Sequence, residues 1–235
     1  MQVKVNKNQQ FPFARATLNQ GETAQIQRAS MVYHTEGITL KTALNGNKHK
    51  GGLLGKAMSS IGRAMTTGER ALITQVTANQ DGVIALSSKM PGQIAELTLD
   101  PHQYYLNDGV FLAMSQDADL EIKHQSLVKG MLSQTGGMLI MHTTGDGQML
   151  INAFGSIQKI NLDNDAITID NQHILAWEDT LDYDLHFESG LIQSICTSEG
   201  LVNTFKGTGS VYLQTLNLET FADTLNKYII SKSGD

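Results

Sequence analysis

The clearest alternation of hydrophobic and polar positions lies in WEDTLDYDLHFE, residues 177–188. Trp177, Leu181, Tyr183, Leu185 and Phe187 fall on one side of an extended chain, and Asp182, Asp184, His186 and Glu188 on the other. Successive side chains of a strand point to opposite faces, so the pattern predicts one half-buried strand. Near the C-terminus the period changes. In NLETFADTLNKYI, Leu218, Phe221, Leu225 and Ile229 recur at helical spacing, with Asn217 placed to cap the first turn. Elsewhere short alternations are separated by glycine, of which there are 22 against three prolines. That punctuation predicts strands joined by tight turns. The expected fold is mainly β, closed by a short C-terminal helix over 217–230.

The alternations also repeat. PGQIAELTLD at 91–100 matches FGSIQKINLD at 154–163, with Gly92 over Gly155, Ile94 over Ile157, Leu97 over Ile160, Leu99 over Leu162 and Asp100 over Asp163. Every pair is 63 positions apart, and the offset persists through Leu112-Ala113 over Leu175-Ala176 and Gly137 over Gly200. It slips by one where GDGQMLI (145–151) faces GTGSVYL (207–213). A fainter copy lies upstream, in LNQGETAQIQRASMVY (18–33) and DGVIALS (81–87). Units this small cannot bury a sheet face alone. The expectation is therefore a single domain of three similar β units, about 15–91, 92–154 and 155–215, around a pseudo-threefold axis. Gly82, Gly147 and Gly209 are expected in equivalent turns, and Gly92 is expected to be equivalent to Gly155.

The segments LNQGETAQIQRASMVY, TGERALITQVTANQDGVIALS, PGQIAELTL and EGLVNTFKGTGSVYLQT, with the helix after them, resemble the altered inheritance of mitochondria protein 24 family. They run in that family's order over about residues 15 to 230, and TGE, PG-x-I and FKGTGSVYLQT are the most specific pieces. The resemblance implies three β-sandwich repeats like the fold of the tryptophan RNA-binding attenuator protein. It implies no catalytic residues. Fungal members carry mitochondrial targeting sequences. This chain lacks one, and MQVKVNKNQQ has no apolar run that could act as a signal peptide, so a cytoplasmic location is expected.

Composition narrows the function classes. Hydrophobic residues make up 40% and charged residues 17%, which marks a folded chain with a real core. The net charge of −6 gives no support to nucleic-acid binding through a basic surface, and an aromatic content of 6% leaves few stacking platforms for RNA. One cysteine, Cys196, excludes an internal disulfide or a cysteine cage for zinc. It lies in SICTS without a glycine-rich elbow, so an inert buried thiol is expected.

GGLLGKAMSS, residues 51–60, mimics a phosphate-binding loop. Such a loop needs Gly-x-x-x-x-Gly-Lys and then Ser or Thr. Here Lys50 occupies the first glycine position and Ala57 the hydroxyl position, so the nucleotide reading is rejected. The same stretch places Leu53, Leu54, Ala57, Met58, Ile61 and Met65 on one helical face. Between Lys48 and Arg70 five basic residues stand against Glu69 alone, leaving a local charge of +4 in an acidic chain. An ordinary reading packs this face on the protein's own core. A functional reading docks 48–66 on a protein partner or an anionic membrane, with Leu53, Leu54, Lys56, Met58, Ile61 and Arg63 as contacts.

The expected function is thus a non-enzymatic β scaffold or binding protein without a cofactor. Its partner is a protein or a membrane surface, no nucleic acid is expected, and self-association is compatible. The alternative is a small-molecule or metal-binding enzyme using the polar strand face at 182–188.

Overall fold

The computed structural model describes residues 1–6, 9–44, 72–124, 139–187 and 201–229. The chain is mainly β with one short C-terminal helix. Its strands are β1 (Gln2–Val5), β2 (Phe13–Leu18), β3 (Thr23–Gln27), β4 (Met31–His34), β5 (Ile38–Leu44), β6 (Leu72–Ala78) and β7 (Gly82–Ser87). There follow β8 (Ile94–Thr98), β9 (Tyr104–Leu106), β10 (Phe111–Ser115), β11 (Ala118–His124), β12 (Leu139–Gly145) and β13 (Gln148–Asn152). The last are the long β14 (Ile157–Asp170), β15 (Ile174–Glu178), β16 (Asp182–Phe187) and the long β17 (Leu201–Gln214), before helix α1 (Leu218–Asn226).

The named strand pairs are all antiparallel. One sheet runs β1-β2-β7-β4, a second β5-β6-β3-β10-β13-β8 and a third β11-β12-β9-β15-β17-β14, with β16 also on β17. The chain passes between sheets repeatedly, as from β2 to β3, β3 to β4 and β9 to β10, and apolar clusters form the core. One cluster gathers Leu18, Ile26, Val76, Ile84, Leu86 and Leu150. A second gathers Leu97, Leu106, Phe111, Met114 and Tyr212. The third centres on Trp177 and Phe205. Burial of this apolar surface is the main term holding the fold.

The alternation at 177–188 is carried by two strands rather than the single one expected. β15 ends at Glu178, Leu181 N–H donates to the Glu178 carbonyl (3.1 Å), and β16 starts at Asp182. The Asp179-Thr180 corner turns the chain without changing the parity of the faces. Leu185 is 3% exposed and Leu181 buried, while Asp182 and Asp184 face out, as the pattern requires.

Gly92 and Gly155, matched by the 63-residue offset, touch each other in an isolated parallel bridge. Gln93 N–H donates to the Gly155 carbonyl and Gly155 N–H to that of Pro91. A side chain on Gly92 would strike the Ala153 carbonyl, so backbones meet here at a distance open only to glycine.

Helix α1 starts as expected: the Asn217 side chain accepts from Thr220 N–H at 3.1 Å. Its apolar stripe, however, is not taken up by the core. Leu218, Phe221 and Leu225 stay between 42% and 47% exposed, and the helix ends at Asn226, short of the expected 230, so that Ile229, 65% exposed, lies beyond it.

Candidate functional site

The helix lies at the lip of a depression of about 340 Å³. Its lining is rich in side-chain amides from four places in the chain: Asn107, Asn152, the pair Asn171 and Gln172, and Gln214. Asn107, Asn152 and Gln214 are held by backbone. Asn152 Nδ2 donates to the carbonyls of Gly109 (3.2 Å) and Val110 (2.8 Å), and its Oδ1 accepts from Ser88 Oγ (2.8 Å). Asn107 Nδ2 donates to the Ile174 carbonyl at 3.0 Å. Gln214 accepts from Phe154 N–H at 2.9 Å and donates to the Gln172 carbonyl at 2.9 Å. Gln172 in turn reaches Glu219 on α1 at 2.8 Å, and Phe221 stacks edge-on against Phe154 at 5.1 Å. These two contacts fix the helix to the rim.

One acceptor is left over. Asn107 Oδ1 is buried and has no hydrogen-bond partner among the described residues. A buried acceptor without a partner costs roughly 1–3 kcal/mol, so the depression is poised to take a donor. Among its lining residues only Asp108 carries a titratable side chain. The arrangement offers fixed hydrogen bonds and apolar walls (Met90, Val110, Phe154, Leu218) rather than an acid–base pair.

The polar face of β16 forms a second depression, of about 390 Å³, lined by Asp182, Tyr183, Asp184, His186, Thr204 and Lys206. The sequence-derived ligand types do meet there: His186 Nδ1 lies 3.3 Å from Asp184 Oδ2. But Asp184 is 71% exposed, and Asp182 sits opposite Lys206 in the β16·β17 register. Among the described residues no group of three His, Cys, Asp or Glu is placed to hold a metal ion. Glu188, Cys196 and the candidate contacts Leu53, Leu54, Lys56, Met58, Ile61 and Arg63 lie outside the described residues.

A cluster invisible in the linear pattern joins β9, β12, β15 and β16. Tyr105 packs on His142 (4.6 Å), Trp177 (5.5 Å) and Tyr183 (5.5 Å), and Lys123 Nζ stands 5.2 Å from its ring centre. His142 Nε2 contacts Asp179 Oδ2 at 3.2 Å. Burial, followed by the neighbouring Tyr105, raises the Tyr183 hydroxyl above its ordinary pKa. Tyr104, next door, is raised by burial first and then by Tyr212 and Glu178. Read singly along the chain, these histidines and tyrosines look like scattered surface residues. Strand pairing alone assembles them.

Comparison with known proteins fits this architecture. An uncharacterised protein of Streptococcus pyogenes serotype M6 is 47% identical over 233 residues, covering 99% of this chain and 93% of that one. The X-ray crystal structure of a Streptococcus pyogenes protein from a structural genomics consortium superposes with a TM-score of 0.81 at 47% identity, over 97% of this chain and 99% of the other. The family model described as mitochondrial biogenesis AIM24 matches residues 3–216, and the chain belongs to that family.

Proposed function

We propose that this protein is a non-catalytic cytoplasmic β scaffold, built from three copies of one unit, that works by docking on a protein partner through α1 and its rim. The observation that carries this is the apolar stripe Leu218, Phe221 and Leu225 of α1, continued by the exposed Ile229 just after it, which the protein's own core leaves uncovered beside a depression with a spare acceptor. Exposed apolar stripes of this kind mark interaction surfaces. Glu219 and Asp223 flank the stripe, favouring a partner with an apolar ridge and a basic rim.

The repeat is supported by strand pairing. In β2–β7 the first strand pairs the sixth, the second the fifth, the third the sixth and the fourth the fifth. The same scheme recurs in β8–β13. It recurs again in the last group if β14 and β17 each count as two strands, split at Leu162/Asp165 and near Gly207. The third strand slips register at the same place in each group: Met31/Tyr33, Phe111/Ala113 and Ile174/Ala176. Gly82, Gly147 and Gly209 each abut a hydroxyl, of Thr35, Ser115 and Thr180 respectively, within 3 Å of where a Cβ would sit. These regularities support the repeated unit that the resemblance to the attenuator fold implies.

The sequence supplies a second contact, 48–66, whose basic charge suits an anionic surface. The two contacts separate experimentally. Immobilised protein is incubated with native lysate, and Leu218→Ser with Leu225→Ser is compared with the unaltered chain. Both positions are about half exposed, so the melting temperature should hold while a captured protein is lost. Capture that ignores the helix substitutions refutes docking through α1. In parallel, sedimentation with anionic vesicles tests Lys56→Glu with Arg63→Glu. Each basic residue near a membrane contributes about 1 kcal/mol, so the pair should weaken vesicle binding by at least tenfold if 48–66 docks there. Binding indifferent to these charges removes the membrane contact.

A further inference from the structure

Among the described residues, two strand edges of a kind paired elsewhere in the molecule have no strand alongside. The three groups of strands are joined by one kind of junction, in which the second strand of one group pairs with the third strand of the next. β3 pairs β10 in this way, and β9 pairs β15. Repeating the scheme leaves two strands over: β4, the third strand of the first group, and the Asp165–Asp170 half of β14, the second strand of the last. Among the described residues β4 pairs β7 alone and β14 pairs β17 alone. The difference in burial is large. Every residue of β10 and of β15 is buried, whereas none of β4 is, and Met31, Val32 and Tyr33 are 40–51% exposed.

We infer that these edges pair between copies of this chain, β4 of one copy running antiparallel to Asp165–Asp170 of the next. Three observations point to a second copy rather than another occupant. First, the two internal junctions are a template, and the missing one needs no new geometry. In both, the residue after the register slip faces the last inward residue of the partner strand: Ala113 opposite Ile26, and Ala176 opposite Leu106. The next residues pair Met114 with Gln25, and Trp177 with Tyr105. Carried over, Tyr33 faces Ile169, which is buried as Ile26 and Leu106 are, and His34 faces Thr168.

Second, the charges are complementary. The strands of the sheet ending in β4 carry Lys4 and Arg15 and no carboxylate. The sheet end at Asp165–Asp170 carries Asp165, Asp170, Asp182 and Asp184 against Lys206. Third, neither edge carries the strongest guards. Natural edge strands discourage pairing with charges, lysine above all, and with proline or a bulge; the aspartates of one edge face a sheet that carries Lys4 and Arg15. Lysine and proline are absent from both segments, and the slip in β4 recurs in β10 and β15, which are paired nonetheless. A contact between unlike edges is head-to-tail, so it closes into a ring if the rotation between copies permits and otherwise extends as a filament.

The test uses the full chain. Unaltered protein should sediment at a multiple of 25.6 kDa at tens of micromolar. In a Cys196→Ser background, chains bearing His34→Cys are mixed with chains bearing Thr168→Cys under mild oxidation. Opposed residues of an antiparallel pair lie about 4.5–5.5 Å apart, within disulfide range, so a covalent two-chain product should form. A mixture of His34→Cys with Asp165→Cys, three residues out of register, should give at least five times less. Both engineered positions are exposed, and circular dichroism checks that they leave the fold intact. A 25.6 kDa monomer overturns the inference. So does an oligomer in which the two mixtures cross-link equally. So does a doubly substituted chain that cross-links only within itself, since that would mean the edges close inside one molecule.

Discussion

Replacing Leu185 by alanine tests which way the β16 strand faces. Leu185 is 3% exposed and lies opposite Asn203, itself fully buried, in the β16·β17 register. The substitution removes three carbons, each worth about 0.8 kcal/mol on transfer from water, so the transfer loss is about 2.4 kcal/mol. A residual cavity adds to this, and Leu→Ala changes in cores span about 2–5 kcal/mol. Among the described residues β16 pairs with β17 alone, so the site can partly collapse and a loss of about 2.5–4 kcal/mol is expected. With a urea slope of about 3 kcal/mol per molar, the midpoint should fall by about 1 M. Equilibrium urea unfolding followed by Trp177 fluorescence reads this directly, because Trp177 is wholly buried and becomes exposed when the chain unfolds. Asp184→Ala is the control: at 71% exposure it should change stability by less than about 0.5 kcal/mol. An unmoved midpoint for Leu185→Ala, with a shifted one for Asp184→Ala, would show that the faces are inverted.

Gly92→Ala should destabilise by at least about 1–3 kcal/mol, the usual cost of overpacking, because its new methyl meets the Ala153 carbonyl backbone. Gly109→Ala meets nothing within 4 Å and should cost about 1 kcal/mol from its positive φ alone, so equal losses in thermal melts would discount the Gly92–Gly155 bridge. Alkaline unfolding should depend on Tyr183. Its folded pKa is raised by burial, so the folded state keeps a proton that the unfolded chain has lost above the ordinary value near 10. Stability should therefore be flat from pH 7 to about 9 and fall as pH rises beyond about 10. Tyr183→Phe should make that fall shallower, and a slope identical to that of the unaltered protein in pH-resolved urea titrations would refute the assignment.

Much of the fold is written in local periodicity. Faces alternate with period two whatever the tertiary context, which is why Leu185 inward and Asp184 outward follow from residues 177–188 alone. The cap at Asn217 is equally local, since its side chain bonds three residues ahead within one turn. Glycines at fixed offsets marked places where a side chain would not fit, and Gly82, Gly92, Gly147, Gly155 and Gly209 all abut other atoms closely. What the linear pattern could not supply is the identity of the neighbours. The corner at 179–181 preserves parity, so two strands read as one. β4, β10 and β15 look alike as short apolar stretches, yet two are wholly buried and one wholly exposed, because exposure depends on whether a second strand lies alongside. Helix α1 has a sound amphipathic period, which says that an apolar stripe exists and nothing about what covers it. The Tyr105–His142–Trp177 cluster and the amide-lined depression each join residues from separate strands and loops. Such long-range contacts are set by sheet order and register, and those emerge only when the whole chain has packed.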